Sequence, residues 1–261
     1  MSTLQFSRNT KVYLKQNDVF WELPVLDGYS FSQSTNTSEI TLNEMSDLNN
    51  VSRRARQMFT DSYSPAEWSF STYARPNDTS CVEEPLWANF VAVNSYDGVA
   101  TFDWAASVTK EENSTSFDFF YSNTTVLGTF DLYFILGACG NEDHNYSGSE
   151  VTIYEIKNCV VNSASIDFDI DGIATINWSG FGKIISEVTG MNANNKVVTT
   201  FTESTSNFIR NRLTTLSIQS ADTTRFPGTG GEVPGQYDLT LTGGNITFEN
   251  NITYLTPETL C

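Results

Sequence analysis

Positive charge is scarce in this chain. The 14 Lys and Arg residues are outnumbered by 31 Asp and Glu residues, which gives a formal net charge of −17. A chain with this balance repels nucleic acid and anionic membranes, so the composition argues against a protein that grips DNA. The acidity has two interpretations, simple solubility or a surface that must not adhere to a polyanion.

Histidine and cysteine are also rare. His144 is the single histidine, and Cys81, Cys139, Cys159 and Cys261 show no CxxC spacing. We therefore expect reduced thiols, no metal site and no cofactor. A disulfide is the alternative to reduced thiols. The sequence also lacks GxSxG, HExxH and phosphate-binding glycine motifs, so we do not expect an enzyme.

Long apolar runs are missing as well. No segment approaches the roughly 18 apolar residues of a membrane span, and the first residues lack the pattern of a signal peptide. We expect neither a membrane anchor nor secretion through a signal peptide. The Asn-x-Ser/Thr triplets are accordingly interpreted as a by-product of composition.

Turn-forming and β-forming residues are abundant instead. Aromatic residues make up 13% of the chain, and no long amphipathic helical pattern occurs. These features predict an all-β chain with many turns. Strands are predicted at residues 11–14, 19–23, 67–73, 129–136, 151–161, 208–218 and 237–242, the last followed by a Gly243-Gly244 turn and a strand over 245–255. Residues 33–38 are expected to form a loop or a strand exposed on both faces. The best helix candidate is residues 46–63.

The segment 164–180 predicts a β-hairpin with two different faces. A three-residue loop at 170–172 would pair residue 169 with 173, 167 with 175 and 165 with 177. One face then holds the apolar side chains of Ala164, Ile166, Phe168, Ala174, Ile176 and Trp178. The other face holds Ser165, Asp167, Asp169, Ile173, Thr175 and Asn177. The first face is expected to pack on a core, and the second presents carboxylates to water or to a charged neighbour.

The same segment resembles the first half of an EF-hand loop. Asp167, Asp169 and Asp171 occupy alternate positions of that motif and Gly172 follows as its glycine, but Trp178 stands where the motif needs a bidentate Glu. A solvated strand face is therefore the preferred interpretation. A glycosidase carboxylate pair formed by Asp167 and Asp169 ranks far behind, because no sugar platform or partner acid is adjacent in sequence.

The chain contains one basic cluster, formed by Arg53, Arg54 and Arg56. One interpretation is a nuclear signal or a nucleic-acid patch. The other is that these arginines pair with carboxylates, either within the fold or on a neighbouring copy, and we favour the neighbouring copy. Arg210 and Arg212 share one face of a predicted strand and suit the same purpose or a solvated face.

Several segments together resemble the major tail tube protein of tailed bacteriophages. They are residues 52–76, 166–180, 208–213 and 250–258. The resemblance implies an all-β fold, a β-sandwich or partly closed barrel with at most one short helix. It implies one tail tube domain over residues 1–261, within which 79–150 is an insertion or a less regular, loop-rich region. Chains of the family continue beyond the segment at 254–258, so a terminal piece is expected to be absent or processed.

The resemblance also implies a role and partners. Subunits would form hexameric rings that stack into a tube through which DNA passes, and would meet tape-measure, tail terminator and baseplate or tail-tip proteins. The expected location is the virion tail, after assembly in the bacterial cytoplasm. We predict that Glu39, Glu44, Asp167 and Asp169 line the channel and that the arginines contact neighbouring subunits. Long flexible and contractile tails are not distinguished.

A carbohydrate-binding or adhesin-like β-sandwich is the alternative. Five tryptophans could supply sugar platforms, or they could be core residues, as the alternation around two of them indicates. They are Trp21, Trp68, Trp87, Trp104 and Trp178.

Overall fold

The computed structural model describes residues 9–41, 56–75, 83–90, 128–138, 143–148, 151–169, 171–193, 197–198, 208, 215–219, 236–240 and 242–253. Within them, the strands are β1 (Lys11–Gln16), β2 (Val19–Leu23), β3 (Ser30–Ser32), β4 (Thr35–Thr41), β5 (Arg56–Tyr63), β6 (Ala66–Tyr73), β7 (Phe130–Leu136), β8 (Asn145–Ser147), β9 (Thr152–Asp169), β10 (Thr175–Gly182), β11 (Ile184–Val188), β12 (Gly190–Asn192), β13 (Val197–Val198), β14 (Thr215–Gln219), β15 (Gln236–Thr240) and β16 (Gly243–Glu249). The described helix is α1 (Glu84–Phe90). The prediction of an all-β fold with at most one short helix is confirmed for this part of the chain.

Strand β9 organises the molecule because two sheets share it. Its first half pairs with β7 and β11, and its second half pairs with β10 and β16. The first sheet runs β13-β2-β1-β7-β9-β11, and the second sheet runs β16-β9-β10-β6-β3. Three further pairs, β4 with β5, β8 with β12 and β14 with β15, form separate two-stranded sheets.

The main core lies between the two sheets. Alternation along β6 and β10 turns Trp68, Phe70, Ile176 and Trp178 inward, and all four side chains are buried. From β3, the Phe31 ring meets the Phe134 ring of the first sheet at 4.8 Å between centroids. The second sheet therefore presents one apolar face to the core and one face away from it.

Helix α1 completes this core. All seven of its residues are buried, and the Trp87 ring stands edge-on to Trp178 at 4.8 Å. Asn89, also buried, accepts a hydrogen bond of 3.1 Å from the Gln16 amide. This helix is not predicted from the sequence, because a segment with no exposed side lacks the apolar and polar periodicity that marks amphipathic helices.

The predicted hairpin register is confirmed. Thr175 pairs with Asp167, Asn177 pairs with Ser165, and the ladder shifts at Ser179 and Gly180. A Cβ on Gly180 would lie 2.0 Å from the Val160 carbonyl oxygen, so this position requires glycine. The predicted strands at 11–14 and 19–23 are also confirmed, joined by Asn17 and Asp18, whose positive φ angles suit a tight hairpin turn.

Three local predictions need correction or completion. The helix expected over 46–63 is wrong where it can be tested, because Arg56–Tyr63 is strand β5, while 46–55 lies outside the described residues. Gly243 and Gly244 are not the turn but the start of β16, paired with Asp169 and Phe168 of β9. The strand over 208–218 is found in part, because 215–218 belong to β14, Phe208 is not in a strand, and 209–214 lie outside the described residues.

Candidate functional surfaces

The face of the second sheet that points away from the core is mostly polar, and Phe181, which lies opposite Glu67, is an apolar residue on it. Its polar side chains are Ser30, Ser32, Glu67, Ser69, Ser71, Tyr73, Ser163, Ser165, Asp167, Asp169, Thr175, Asn177, Ser179, Asn245, Thr247 and Glu249. We call this set the polar face. Hydrogen bonds cross it from strand to strand, such as Ser30 with Ser69 at 2.9 Å and Ser71 with Asn177 at 2.6 Å.

The charge on the polar face is of one sign. Glu67, Asp167, Asp169 and Glu249 contribute carboxylates, and the strand residues that form the face include no Lys or Arg. Arg75, just beyond the end of β6, lies over the Phe208 ring at 4.5 Å. The polar face therefore offers a polyanion no cationic strand side chain to bind.

Asp167 and Asp169 have different environments on this face. Asp167 is half-buried, and its two carboxylate oxygens accept hydrogen bonds from the amides of Asn177 and Asn245. Asp169 is exposed, and no hydrogen bond or ion pair of its side chain is found among the described residues. The structure thus brings these two predicted channel residues together but gives them different surroundings.

Strands β4 and β5 form a hairpin, which we call the β4–β5 hairpin. It exposes Met58, Phe59 and Tyr63 by 70%, 46% and 44%. The paired strand β4 is exposed too, at Thr35, Asn36, Thr37 and Glu39. Of the two structures predicted for residues 33–38, a loop or a strand exposed on both faces, the exposed strand is therefore the correct one. A two-stranded ribbon is marginally stable alone, which makes this element a candidate contact surface.

Gln33 anchors the base of the hairpin. Its amide nitrogen donates to the carbonyl oxygens of Ser64 and Lys183 at 2.9 and 3.0 Å. Its amide oxygen accepts from the Ile185 backbone N–H at 3.0 Å. One side chain therefore links the hairpin to the connection between β10 and β11, and no local sequence pattern signals this role.

The structure describes only part of the predicted arginine set. Arg56 opens β5 and pairs with Thr41, which places it at the end of the hairpin far from Gln33. Its side chain, and all of Arg53, Arg54, Arg210 and Arg212, lie outside the description, as does Glu44. Glu39 is described, but it belongs to the β4–β5 hairpin and not to the polar face.

On the far side of the first sheet, a second cluster holds polar groups under the β8–β12 pair. The Tyr13 hydroxyl lies 2.8 Å from Tyr146 Oη and 3.0 Å from His144 Nδ1. Burial and the hydrogen bond with Tyr146 raise the pKa of Tyr13. Lys11 forms an ion pair of 3.2 Å with Glu22. Burial lowers the pKa of Lys11, but the charge of Glu22 acts in the opposite direction, and the pKa is raised overall. These groups satisfy one another and tie β8 to β1.

The described ranges also hold potential metal ligands, a cysteine thiol and a helix. No group of three or more His, Cys, Asp or Glu residues there is placed to hold a metal ion. The Cys159 thiol is buried and donates to the Ile156 carbonyl oxygen at 3.3 Å, and burial raises its pKa. None of the described helices has the length and apolar character to span a membrane.

Four tryptophans that could have formed sugar platforms are core residues. Trp21, Trp68, Trp87 and Trp178 are each at most 5% exposed, and Trp104 lies outside the description. These four tryptophans are therefore not available as sugar platforms, which were the basis for the alternative of a carbohydrate-binding module.

Comparison with known proteins gives one clear relative by sequence. No family model matches the chain. Tail tube protein pb6 of Escherichia phage T5 is 27% identical over 270 residues, covering 99% of this chain and 53% of pb6. The chain thus spans about half the length of this curated relative.

Chains of injection-system complexes are among the solved structures that align with this chain. The sheath-tube complex of the extracellular contractile injection system PVC aligns with a TM-score of 0.38 and 14% identity, covering 69% of this chain and 88% of that one. The tube-terminating cap of the anti-feeding prophage aligns with a TM-score of 0.41 and 13% identity, covering 72% and 93%. The match to pb6 over nearly the whole chain confirms the resemblance to a phage tail tube protein that the sequence motifs indicated.

Proposed function

We propose that this chain is the structural subunit of a phage tail tube, forming hexameric rings that stack around a channel for DNA. The observation that carries the proposal is the polar face, a broad sheet surface with four carboxylates and no Lys or Arg in its strands. The similarity to tail tube protein pb6 supports the same role.

The charge of the polar face suits the passage of DNA. Duplex DNA carries about one phosphate charge per 1.7 Å of axis, and proteins hold it by neutralising those charges with Lys and Arg. A wall of carboxylates, hydroxyls and amides gives phosphates no cation to pair with. Because salt screens charges beyond about 10 Å, repulsion acts where DNA approaches the wall. Asp167 and Asp169 belong to this wall, and Glu39 and Glu44 extend it if the β4–β5 hairpin follows the channel.

Ring formation answers the problem of open sheet edges. In the described residues, β16 and β3 are the outer strands of the second sheet, and each leaves one row of backbone groups unpaired within that sheet. Such edges invite pairing with other chains, and a closed ring removes them. Joining these edges around a ring would make the polar face continuous.

Contacts between subunits would use the β4–β5 hairpin and the arginines. Exposed Met58 and Phe59 supply apolar area, while Arg53, Arg54 and Arg56 follow one another where the chain enters β5. In a chain of net charge −17, a neighbouring copy offers many carboxylates to these cations. Arg210 and Arg212 are assigned the same kind of contact.

The wider role follows from the same resemblance. The subunit would act in the virion tail after assembly in the host cytoplasm, as a structural protein with no catalytic activity or cofactor. Its partners would be further copies of itself and the tape-measure, tail terminator and baseplate or tail-tip proteins. One tail tube domain over residues 1–261 is part of this proposal, with 79–150 as an insertion or a less regular, loop-rich region that contributes α1 to the core and β7 to the first sheet.

Negative-stain electron microscopy of the concentrated protein, with light scattering across a dilution series, tests the proposal. Hollow tubes or stacked rings of constant diameter are the expected result. Single subunits at every concentration, together with retention on a glycan array, would overturn it in favour of the carbohydrate-binding alternative.

A further inference from the structure

Edge strand β16 is attached unequally along its length. Near its end, the Phe248 ring packs edge-on against the Trp87 and Phe90 rings, with 5.9 and 6.5 Å between ring centroids. Just beyond, the Asn250 amide donates to the Phe90 carbonyl oxygen at 2.8 Å. Its beginning is Gly243 and Gly244, which have no side chains to anchor it, and Ile246 is 44% exposed. The first half of β16 thus relies on its backbone pairing with β9 and on a polar side-chain attachment.

Asp167 provides that attachment from the neighbouring strand. Its Oδ1 accepts from the Asn245 amide, whose second N–H donates to Ser165 Oγ at 2.6 Å. Its Oδ2 accepts from the Asn177 amide of β10 at 2.5 Å, and Asn177 in turn accepts from Ser71 of β6. One carboxylate therefore connects a hydrogen-bonded row across four adjacent strands, β6, β10, β9 and β16.

We propose that Asp167 is a positioning residue that fixes the first half of β16 in register on β9. A carboxylate is suited to this task because it only accepts hydrogen bonds, so two amide donors can meet it from opposite sides. If the proposed function holds, this strand edge contacts the neighbouring subunit. Asp167 then positions the edge strand, while Asp169 contributes an exposed negative charge.

Three variants separate the clamp from the charge. Asp167→Ala removes both acceptors and the charge. Asp167→Asn removes the charge but keeps the bonds, because the Asn177 amide can rotate so that Ser71 accepts from it and residue 167 donates to it. Asp169→Ala, on the same strand and face, removes a charge that makes no described side-chain bond.

Hydrogen–deuterium exchange of dilute, unassembled subunits is the measurement. We expect amides of residues 243–246 to exchange at least about tenfold faster in Asp167→Ala, while Asp167→Asn and Asp169→Ala stay within about threefold of the native chain. Amides flanking Phe248 should change little, because their apolar anchor remains. Equal exchange in Asp167→Ala and Asp169→Ala would overturn the proposal.

Asn245→Ala gives a second, milder route if Asp167→Ala fails to fold. It removes one of the two bonds and should again accelerate exchange at the start of β16, and unchanged exchange would overturn the proposal. Because exchange is read on single subunits, it is independent of tube formation. A chain that stays a single subunit at every concentration and is retained on a glycan array, but shows the exchange pattern, would refute the proposed function and leave the role of Asp167 unchanged.

Discussion

Replacing Glu83 by Gln should remove a pH-dependent loss of stability. Glu83 directly precedes α1, accepts its first backbone hydrogen bonds at 2.9 and 3.1 Å, and is 1% exposed. Its side-chain Oε1 has no hydrogen-bond partner among the described residues. Burial raises the pKa of Glu83 from 4.5 to about 7, against the opposing effects of backbone hydrogen bonds and the charge of Arg75.

The sign of the effect follows from the proton balance. Below pH 4.5 the carboxyl is protonated in both the folded and the unfolded chain, so its contribution to stability is fully present. As the pH rises towards 7, the unfolded chain releases this proton while the folded chain retains it, so the folded state is progressively disfavoured. Between pH 5 and 8 the loss amounts to about 2 to 3 kcal/mol.

Urea denaturation of dilute subunits at pH 5, 6, 7 and 8, followed by tryptophan fluorescence, measures this loss. The difference in free energy of unfolding between Glu83→Gln and the native chain should increase with pH, whatever constant cost the buried amide adds. Glu67→Gln, which changes an exposed carboxylate, is the matched control and should show little pH-dependent difference. A Glu83→Gln difference that is constant across the four pH values would refute the reasoning.

Three further predictions concern packing, assembly and channel charge. Gly180→Ala forces a Cβ against a carbonyl of β9 and should cost about 1 to 3 kcal/mol in urea denaturation, whereas Gly244→Ala, with open space around it, should cost less than 1 kcal/mol. The Arg53→Glu, Arg56→Glu double variant should fold normally by circular dichroism but assemble less by light scattering, and normal tubes would remove the cluster from the interface. Asp169→Lys should make assembled tubes retain a short DNA duplex at low salt and release it at high salt, and no retention would place residue 169 away from the channel.

The sequence was most informative where neighbours in the chain are also neighbours in the fold. The hairpin around residues 170–172 was predicted with its register because alternation on both strands allows one loop length. Strand β5 is misassigned as helix for the opposite reason. Its apolar residues, such as Met58 and Phe59, are exposed, so no buried face imposes alternation on them.

The clamp on β16 had no local signal at all. Asn245 is 78 residues from Asp167 in the chain, and its pairing follows from the placement of an edge strand that opens with two glycines. Periodicity identifies which side of a strand is polar. It does not identify which polar side chains of distant strands meet.

Asp167 also affects what the polar face offers to DNA. Asparagine amides are donors that can bind phosphate oxygens, and Asn177 and Asn245 place two of them on this face. Both amides donate to the Asp167 carboxylate, and the second N–H of Asn245 donates to Ser165. Three of the four N–H groups of these two amides are therefore satisfied within the sheet. On the proposed function, the face resists adhesion in two ways, by repulsion from exposed carboxylates such as Asp169 and by engaging these three N–H groups so that they do not bind a phosphate.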